Sequence, residues 1–271
     1  MNISFGCQTY TWKLNKERFA GDLPHIAEVT AKAGYTGLES EIDMLGDYFN
    51  RAELTKEIMD GCGISLAAIV LHQDWAGYEE SAQEKELSDK AIDFIRQFPG
   101  AKIVLSHHAL PGDRKEGDAL SERRERLFAC MAQVTGRAME RGVVTAFHPN
   151  SSANSLFRTA EDYGNLFDML DKTDIGLAPD IGHIANGGME PLDVLVRFRS
   201  KVRHIHFKDR LGHNTWALMG KGSIDYSSIV SYLENTGYRG WIMVEDESHE
   251  AELDSDKAVF YNGEYIKRFI H

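Results

Sequence analysis

The chain has 271 residues, 42% of them hydrophobic and 27% charged, and a formal net charge of −12. That length buries a large core in one or two domains, and barrels of this size are routinely one. The acidic balance argues against a broad grip on nucleic acid, whose affinity comes from Lys and Arg on phosphates, and leaves room only for a small local basic site.

The 3 cysteines, Cys7, Cys62 and Cys130, are odd in number, far apart and without a CxxC pair. They read as small buried hydrophobes in a reduced compartment rather than as a disulfide framework. No stretch approaches the roughly 18 apolar residues of a membrane span. The opening MNISFGCQTYTWKL has no basic segment ahead of a long apolar run, so neither a signal peptide nor a membrane anchor is expected and the expected location is the cytoplasm.

In chain order the strand candidates are ISFGCQTY (3–10), TGLES (36–40), SLAAIVL (65–71), KIVLSHH (102–108), VVTAFHP (143–149), IGLAPD (175–180), VRHIHF (202–207) and WIMVE (241–245). Between them lie stretches with apolar spacings of three and four. In ERRERLFACMAQVTGRAMER (122–141), Leu127, Met131, Val134 and Ala138 form one stripe, and SSIVSYLENTG (227–237) closes on Gly237 as a helix does. AGYTGLE, GCGISLAA, RGVVTA and TGYRGWIM repeat one short punctuation, a glycine ending a helix just before a strand. Strict alternation of buried strands and helices means a parallel sheet covered by helices. Eight such units in about 270 residues are the count and size of a (β/α)8 TIM barrel, an α/β fold, with 1–271 as a single domain. A doubly wound open sheet is the alternative; it usually has fewer strands, and no GxGxxG follows any strand here.

In such a barrel the chemistry sits at the C-terminal ends of the strands. Those ends carry Glu39, His72, His107, His108, His148, Asp180, His206 and Glu245. A single strand-terminal histidine is usually structural, but a row of them converging on one face reads as a pocket. The donors mix carboxylate and imidazole without a nearby thiol, which suits Mn²⁺, Zn²⁺, Co²⁺, Fe²⁺ or Mg²⁺ rather than a closed structural zinc site. His148, Asp180, His206 and Glu245 can surround one divalent ion and leave positions open for substrate oxygens. An ion chelated by adjacent oxygens stabilises an enediolate, as keto-sugar chemistry requires.

GLAPDIGH (176–183), followed by ANGGMEPLDVLVRFRSKVRHIHFKDR, resembles the xylose isomerase-like barrel superfamily, which includes sugar isomerases and epimerases, endonuclease IV and inosose dehydratase. The family pattern there runs Asp-Thr-Gly-His, a Gly-Asp-Pro-like turn, then His-Val-His-Leu-Lys-Asp. MGKGSIDYSSIVSYLENTGYRGWIMVEDE resembles its Gly-Glu-Gly…Asp-Phe segment and a closing strand ending in Trp-(Ile/Leu)-Val-Val-Glu. The resemblance covers essentially the whole chain and is strongest over 142–246.

The resemblance implies that Asp180, His206 and Glu245 bind a divalent metal. Many sugar epimerases of the family carry a Glu in the fourth position, at the end of strand five; TAFHPN puts His148 there instead, which looks like the inosose dehydratase branch, although Asn150 departs from that pattern too. A carboxylate on one side and an imidazole on the other suit elimination of water or of an aglycone better than a symmetric two-carboxylate proton shuttle. The expected activity is therefore that of a lyase or dehydratase on a keto sugar, keto-cyclitol or 3-oxo-glycoside, with isomerisation or epimerisation as the alternative. Glu245 is assigned as ligand and base, His183 as an acid–base group, and Lys208 as a group that holds a substrate hydroxyl or stabilises an oxyanion. Glu39 is expected to hydrogen-bond a sugar hydroxyl or orient a ligand, His72 and His108 to contact substrate, and Trp12 to stack on a sugar ring.

Other readings stay open. An endonuclease IV-like nuclease would need a Glu at the place of His148 and an Asp-x-His pair where RLGHN offers His213 behind Leu211. A non-catalytic or partner-dependent subunit of a hetero-oligomer is a further alternative; otherwise a homodimer is the default. Gly220, Lys221 and Gly222 in MGKGS are either a phosphate cradle or the shape of a loop.

Overall fold

The computed structural model describes residues 3–270. The chain divides into 2 compact units, one running up to Ile69 and resuming at His204, the other spanning Val70–Arg203. The strands in chain order are β1 (Ser4–Gln8), β2 (Gly37–Glu41), β3 (Ser65–Gln73), β4 (Lys102–His107), β5 (Val144–Phe147), β6 (Gly176–Leu177), β7 (Ile205–Phe207), β8 (Asp209–Gly212), β9 (Thr215–Ala217) and β10 (Trp241–Val244).

In the first unit the hydrogen-bonded order is β3-β2-β1-β10-β7, and in the second it is β6-β5-β4-β3. Strand β1 pairs parallel with β2 and with β10, and β10 pairs parallel with β7. Strand β5 pairs parallel with both β4 and β6. Beyond β6, Leu177 bridges in parallel to Val202, on the stretch that leads into β7. Consecutive strands as neighbours, with a helix between them, give the order of a (β/α)8 barrel.

The strands are apolar throughout because both faces are covered. Along β3, Leu66, Ala67, Ala68, Ile69, Val70 and Leu71 are all buried. The helix Asp118–Glu140 buries Leu127, Met131, Val134 and Ala138, the stripe read from spacing. Its start lies four residues before the expected one. The helix Ala82–Ile95 opens on a reciprocal capping box between Ser81 and Glu84. Gly237, at φ +67°, follows the helix Tyr226–Asn235 and allows the left-handed turn into β10.

Two expected strands are shorter than their apolar runs. β6 keeps only Gly176–Leu177 of 175–180, because Pro179 has no N–H and Asp180 already caps the next helix. β7 keeps Ile205–Phe207 of 202–207. β8 and β9 form an antiparallel hairpin that no apolar run announces, turning at His213–Asn214 with Asn214 at φ +53°. Cys7 and Cys130 are buried, Cys62 is half-buried, and all are free thiols. No helix among the described residues is long and apolar enough to cross a membrane.

Candidate active site

In the first unit, His204 and His206 stand two residues apart at β7 and so share one face of the strand. Both are buried. Glu39, near the end of β2, is 0% exposed and faces both rings. Its Oε2 lies 2.6 Å from His204 Nε2, and its Oε1 lies 2.9 Å from His206 Nε2. The other nitrogen of His206, Nδ1, lies 3.1 Å from Glu245 Oε2.

Glu245, directly after β10, accepts a hydrogen bond from Lys208 Nζ on its other oxygen at 2.6 Å. Lys208 also donates to Glu247, and its ammonium lies 5.1 Å from the Trp216 ring and 5.9 Å from the Tyr10 ring. The result is a ladder of alternating acids and bases, Glu39, His206, Glu245, Lys208 and Glu247. Each buried charge has a partner of opposite sign, without which its burial would be prohibitive. Burial alone would raise Glu39, but the His206 and His204 imidazoles hold it well below the usual carboxylate range. Burial opposes charge on His206, and Glu39 and Glu245 together raise it well above an ordinary imidazole. Burial pushes Glu247 up to about 7; Lys208 pulls against this and Glu245 adds to it.

In the second unit, Asp180 follows β6 and caps the helix Ile181–Asn186, its Oδ1 accepting the His183 N–H at 2.8 Å. Its Oδ2 lies 3.7 Å from Nε2 of His148, at the end of β5. The rings of His148 and His183 meet edge to face at 5.8 Å. Ser151 offers His183 Nδ1 its backbone N–H at 3.3 Å and its hydroxyl at 2.9 Å. Nδ1 of the neutral ring is thus an acceptor, and the proton sits on Nε2. Asn186 donates to the same Ser151 hydroxyl at 2.8 Å, so the orientation of His183 is fixed from behind.

His206 Nδ1 and Glu245 Oε2, 3.1 Å apart, have the separation that ligands of one ion take, since donors bound at about 2.1 Å stand roughly 3.0–3.5 Å apart, and His148 Nε2 and Asp180 Oδ2 stand slightly farther apart at 3.7 Å. Each pair offers a nitrogen and an oxygen donor, the donor types that suit a borderline or hard divalent cation.

The other expected site residues fall differently. His72 and His108 stack at 4.8 Å with planes 9° apart, and His108 Nδ1 lies 2.7 Å from Asp74 on an exposed edge. Trp12 is corrected: it is 0% exposed and its indole N–H donates to Asp256 at 2.7 Å, so it has no face to offer a sugar. Glu39 Oε2 is hydrogen-bonded to His204 and its Oε1 lies 2.9 Å from His206 Nε2, so the carboxylate faces imidazoles. Gly220 and Gly222 donate their backbone N–H groups to Asp209 at 2.9 and 3.0 Å, so the anion in the MGKGS loop is the protein's own carboxylate and the loop-shaping reading holds. His204 and Glu247 are additions to the site. The His-x-His alternation in VRHIHF carried the signal for His204, because both histidines of such a pair must share a face.

The model of the xylose isomerase-like TIM barrel matches residues 27–267. The chain is 26% identical to the rhizopine catabolism protein MocC of Rhizobium meliloti over 289 residues, covering 95% of this chain and 84% of that one. It is 27% identical to an inosose dehydratase of Lacticaseibacillus casei over 192 residues, 61% of this chain and 63% of that protein. Among solved structures, the probable 3-DHS dehydratase AsbF of Bacillus anthracis superposes with a TM-score of 0.77 at 13% identity, over 98% of both chains.

Proposed function

This chain belongs to the xylose isomerase-like TIM barrel family, and from that membership we propose that it is a divalent-metal-dependent lyase acting on a keto sugar, keto-cyclitol or 3-oxo-glycoside, in the manner of an inosose dehydratase. In this reading His148, Asp180, His206 and Glu245 hold the ion. The observation that carries the lyase assignment is the His148–Asp180 pair, an imidazole beside a carboxylate where a symmetric proton shuttle would use a second acid. The inosose dehydratases among its relatives point the same way.

When bound, the ion supplies Lewis-acid polarisation of the substrate carbonyl and its neighbouring hydroxyl. Glu245 accepts the proton from the carbon next to the carbonyl. Lys208, already hydrogen-bonded to Glu245, stabilises the oxyanion that develops. His183, its ring proton on Nε2 and its Nδ1 held by Ser151, hydrogen-bonds the departing hydroxyl, which takes a proton from solvent and leaves as water. The proton on Glu245 then passes to solvent.

The test is elemental analysis of the purified protein, then incubation of the metal-loaded protein in D₂O with 2-keto-myo-inositol and several ketohexoses, followed by proton NMR. Loss of water to an enedione-type product supports the lyase. Deuterium beside the carbonyl together with a new stereoisomer replaces it with an isomerase or epimerase. Absence of both metal and exchange overturns the reading in favour of a partner-dependent subunit.

A further inference from the structure

The chain has 4 tryptophans, and the structure places them very differently. Trp12 and Trp75 are 0% exposed. Trp241 begins β10, at the end of that strand remote from Glu245, and its ring packs on Gly37. Trp216, on β9, is half-buried. Its ring lies 5.1 Å from the Lys208 ammonium, which in turn donates to Glu245 at 2.6 Å. We propose that Trp216 is the stacking platform of the site, receiving the C–H face of a cyclic polyol or ring ketone, so that the substrate is bound as a closed ring rather than as an open chain.

The hairpin holds the indole in a set place. Trp216 stands directly across from Arg210 of β8, and Lys208 precedes Arg210 by two residues, so the three side chains share one side of the ribbon. Asp209, on the other side, accepts the Gly220 and Gly222 N–H groups at 2.9 and 3.0 Å and so closes the return of the chain. Met219, just past β9, donates its N–H to Asn262 Oδ1 at 2.8 Å, and the Asn262 amide donates to Asp246 Oδ2 at 2.7 Å. Asp246 is the neighbour of Glu245, so the exit of the hairpin is bonded back to the residue beside the proposed base.

Charge compensation does not require the indole. Glu245 and Glu247 already pair with Lys208, so the ring is not the partner that burial of the ammonium demands. A flat, electron-rich face beside the base matches instead the weakly positive C–H groups along one face of a sugar or cyclitol ring. A rigid ring meets that face in one conformation, whereas an open chain must freeze several rotors to do so.

This inference rests on the keto-sugar reading above, and its test separates the two. myo-Inositol and sorbitol, a ring and an open chain with the same number of hydroxyls, are titrated in zinc-containing buffer into wild type, Trp216→Phe and Trp216→Leu. Affinity is read by calorimetry, indole emission is recorded alongside, and kcat and KM for 2-keto-myo-inositol are measured on each. The expected result is that myo-inositol shifts the emission of wild type but not of Trp216→Phe, and binds Trp216→Leu about 5–30-fold more weakly than wild type. Sorbitol should bind wild type at least about tenfold more weakly than myo-inositol. KM should rise in Trp216→Leu by the same factor as the loss of affinity while kcat holds, since the contact is made equally before and during reaction. Trp216→Phe keeps a ring on the hairpin, so a Trp216→Leu that does not fold leaves the emission comparison standing. Equal affinity of wild type for ring and open chain, or a Trp216→Leu with unchanged affinity and KM, overturns the platform while the keto-sugar reading stands. A fall in kcat at unchanged KM also overturns it, and makes the indole a prop for Lys208. Ring binding that depends on Trp216 without turnover of any ketone overturns the lyase and leaves the platform. A wild type that binds neither polyol and turns over no ring ketone overturns both.

Discussion

Asp209 Oδ2 accepts the backbone N–H of Gly222 at 3.0 Å, so a buried carboxylate at the start of β8 holds the loop that precedes the Tyr226–Asn235 helix. A Cβ at Gly222 would come within 2.1 Å of Asp209 Oδ1 and 2.4 Å of the Arg210 carbonyl oxygen, both too close to stand. Gly222→Ala is expected to lower stability by about 1–3 kcal/mol, read as a drop in urea midpoint at unchanged m-value. A midpoint equal to wild type would mean that the carboxylate does not hold the loop in solution.

Lys208 pairs with both Glu245 and Glu247 along the ladder described above. Lys208→Met is expected to reduce kcat about 10²–10³-fold on whichever substrate the wild type turns over, the usual effect of deleting an oxyanion donor. Metal content, by elemental analysis, should stay near that of wild type. Arginine should not rescue it, because a planar fork replaces a compact ammonium enclosed by two rings.

His107 at the end of β4 is 0% exposed, and neither of its ring nitrogens has a hydrogen-bond partner among the described residues. Burial, reinforced by the Arg123 guanidinium, pushes it from the ordinary 6.5 down to about 3. Below about pH 6.5 the unfolded chain binds a proton that the folded protein refuses, so stability falls as pH drops toward 3 and is unaffected above that window. By pH 5 the loss from this group is about 2 kcal/mol. His107→Leu should show a shallower decline between pH 7 and pH 5 in denaturant titrations; a slope identical to wild type would place the acid sensitivity elsewhere.

Trp75 is buried with φ +44°, a conformation that a bulky residue adopts only when its surroundings enforce it. Arg123 does much of the enforcing: it donates to the carbonyls of Trp75 at 2.9 Å and Asp74 at 2.7 Å, and to the Asp113 carboxylate at 3.1 Å. Arg123→Lys loses the fork that reaches all of them. Faster amide exchange over residues 74–81 and a stability loss of about 1–3 kcal/mol are expected. Unchanged exchange there would assign the turn to the Glu84 carboxylate, which accepts the Trp75 N–H at 2.6 Å.

The barrel was legible because alternation and glycine punctuation are local properties, and Gly237 sits where its spacing demanded. The residues read from strand ends are also legible for a simple reason: a strand that stops on His148 or Glu245 delivers that side chain to one end of the sheet. What escaped depends on partners remote in sequence. Trp12 looks like a loop aromatic until Asp256, 244 residues away, claims its N–H. Glu39 looks like a substrate contact until His204 arrives, 165 residues later, to take one of its oxygens. The β8–β9 hairpin was hidden because its turn uses Asn214 rather than glycine for a positive φ, and its strands are too short to show alternation.

Asp180 divides its carboxylate, one oxygen on the His183 N–H and the other toward His148. Local order in the helix Ile181–Asn186 and occupancy of the proposed ion are therefore thermodynamically linked through a single side chain. Whatever steadies one oxygen steadies the other. The exchange rate of one amide hydrogen, that of His183, thus becomes a built-in reporter of ligation, slowing as the ion is taken up and quickening as it is stripped.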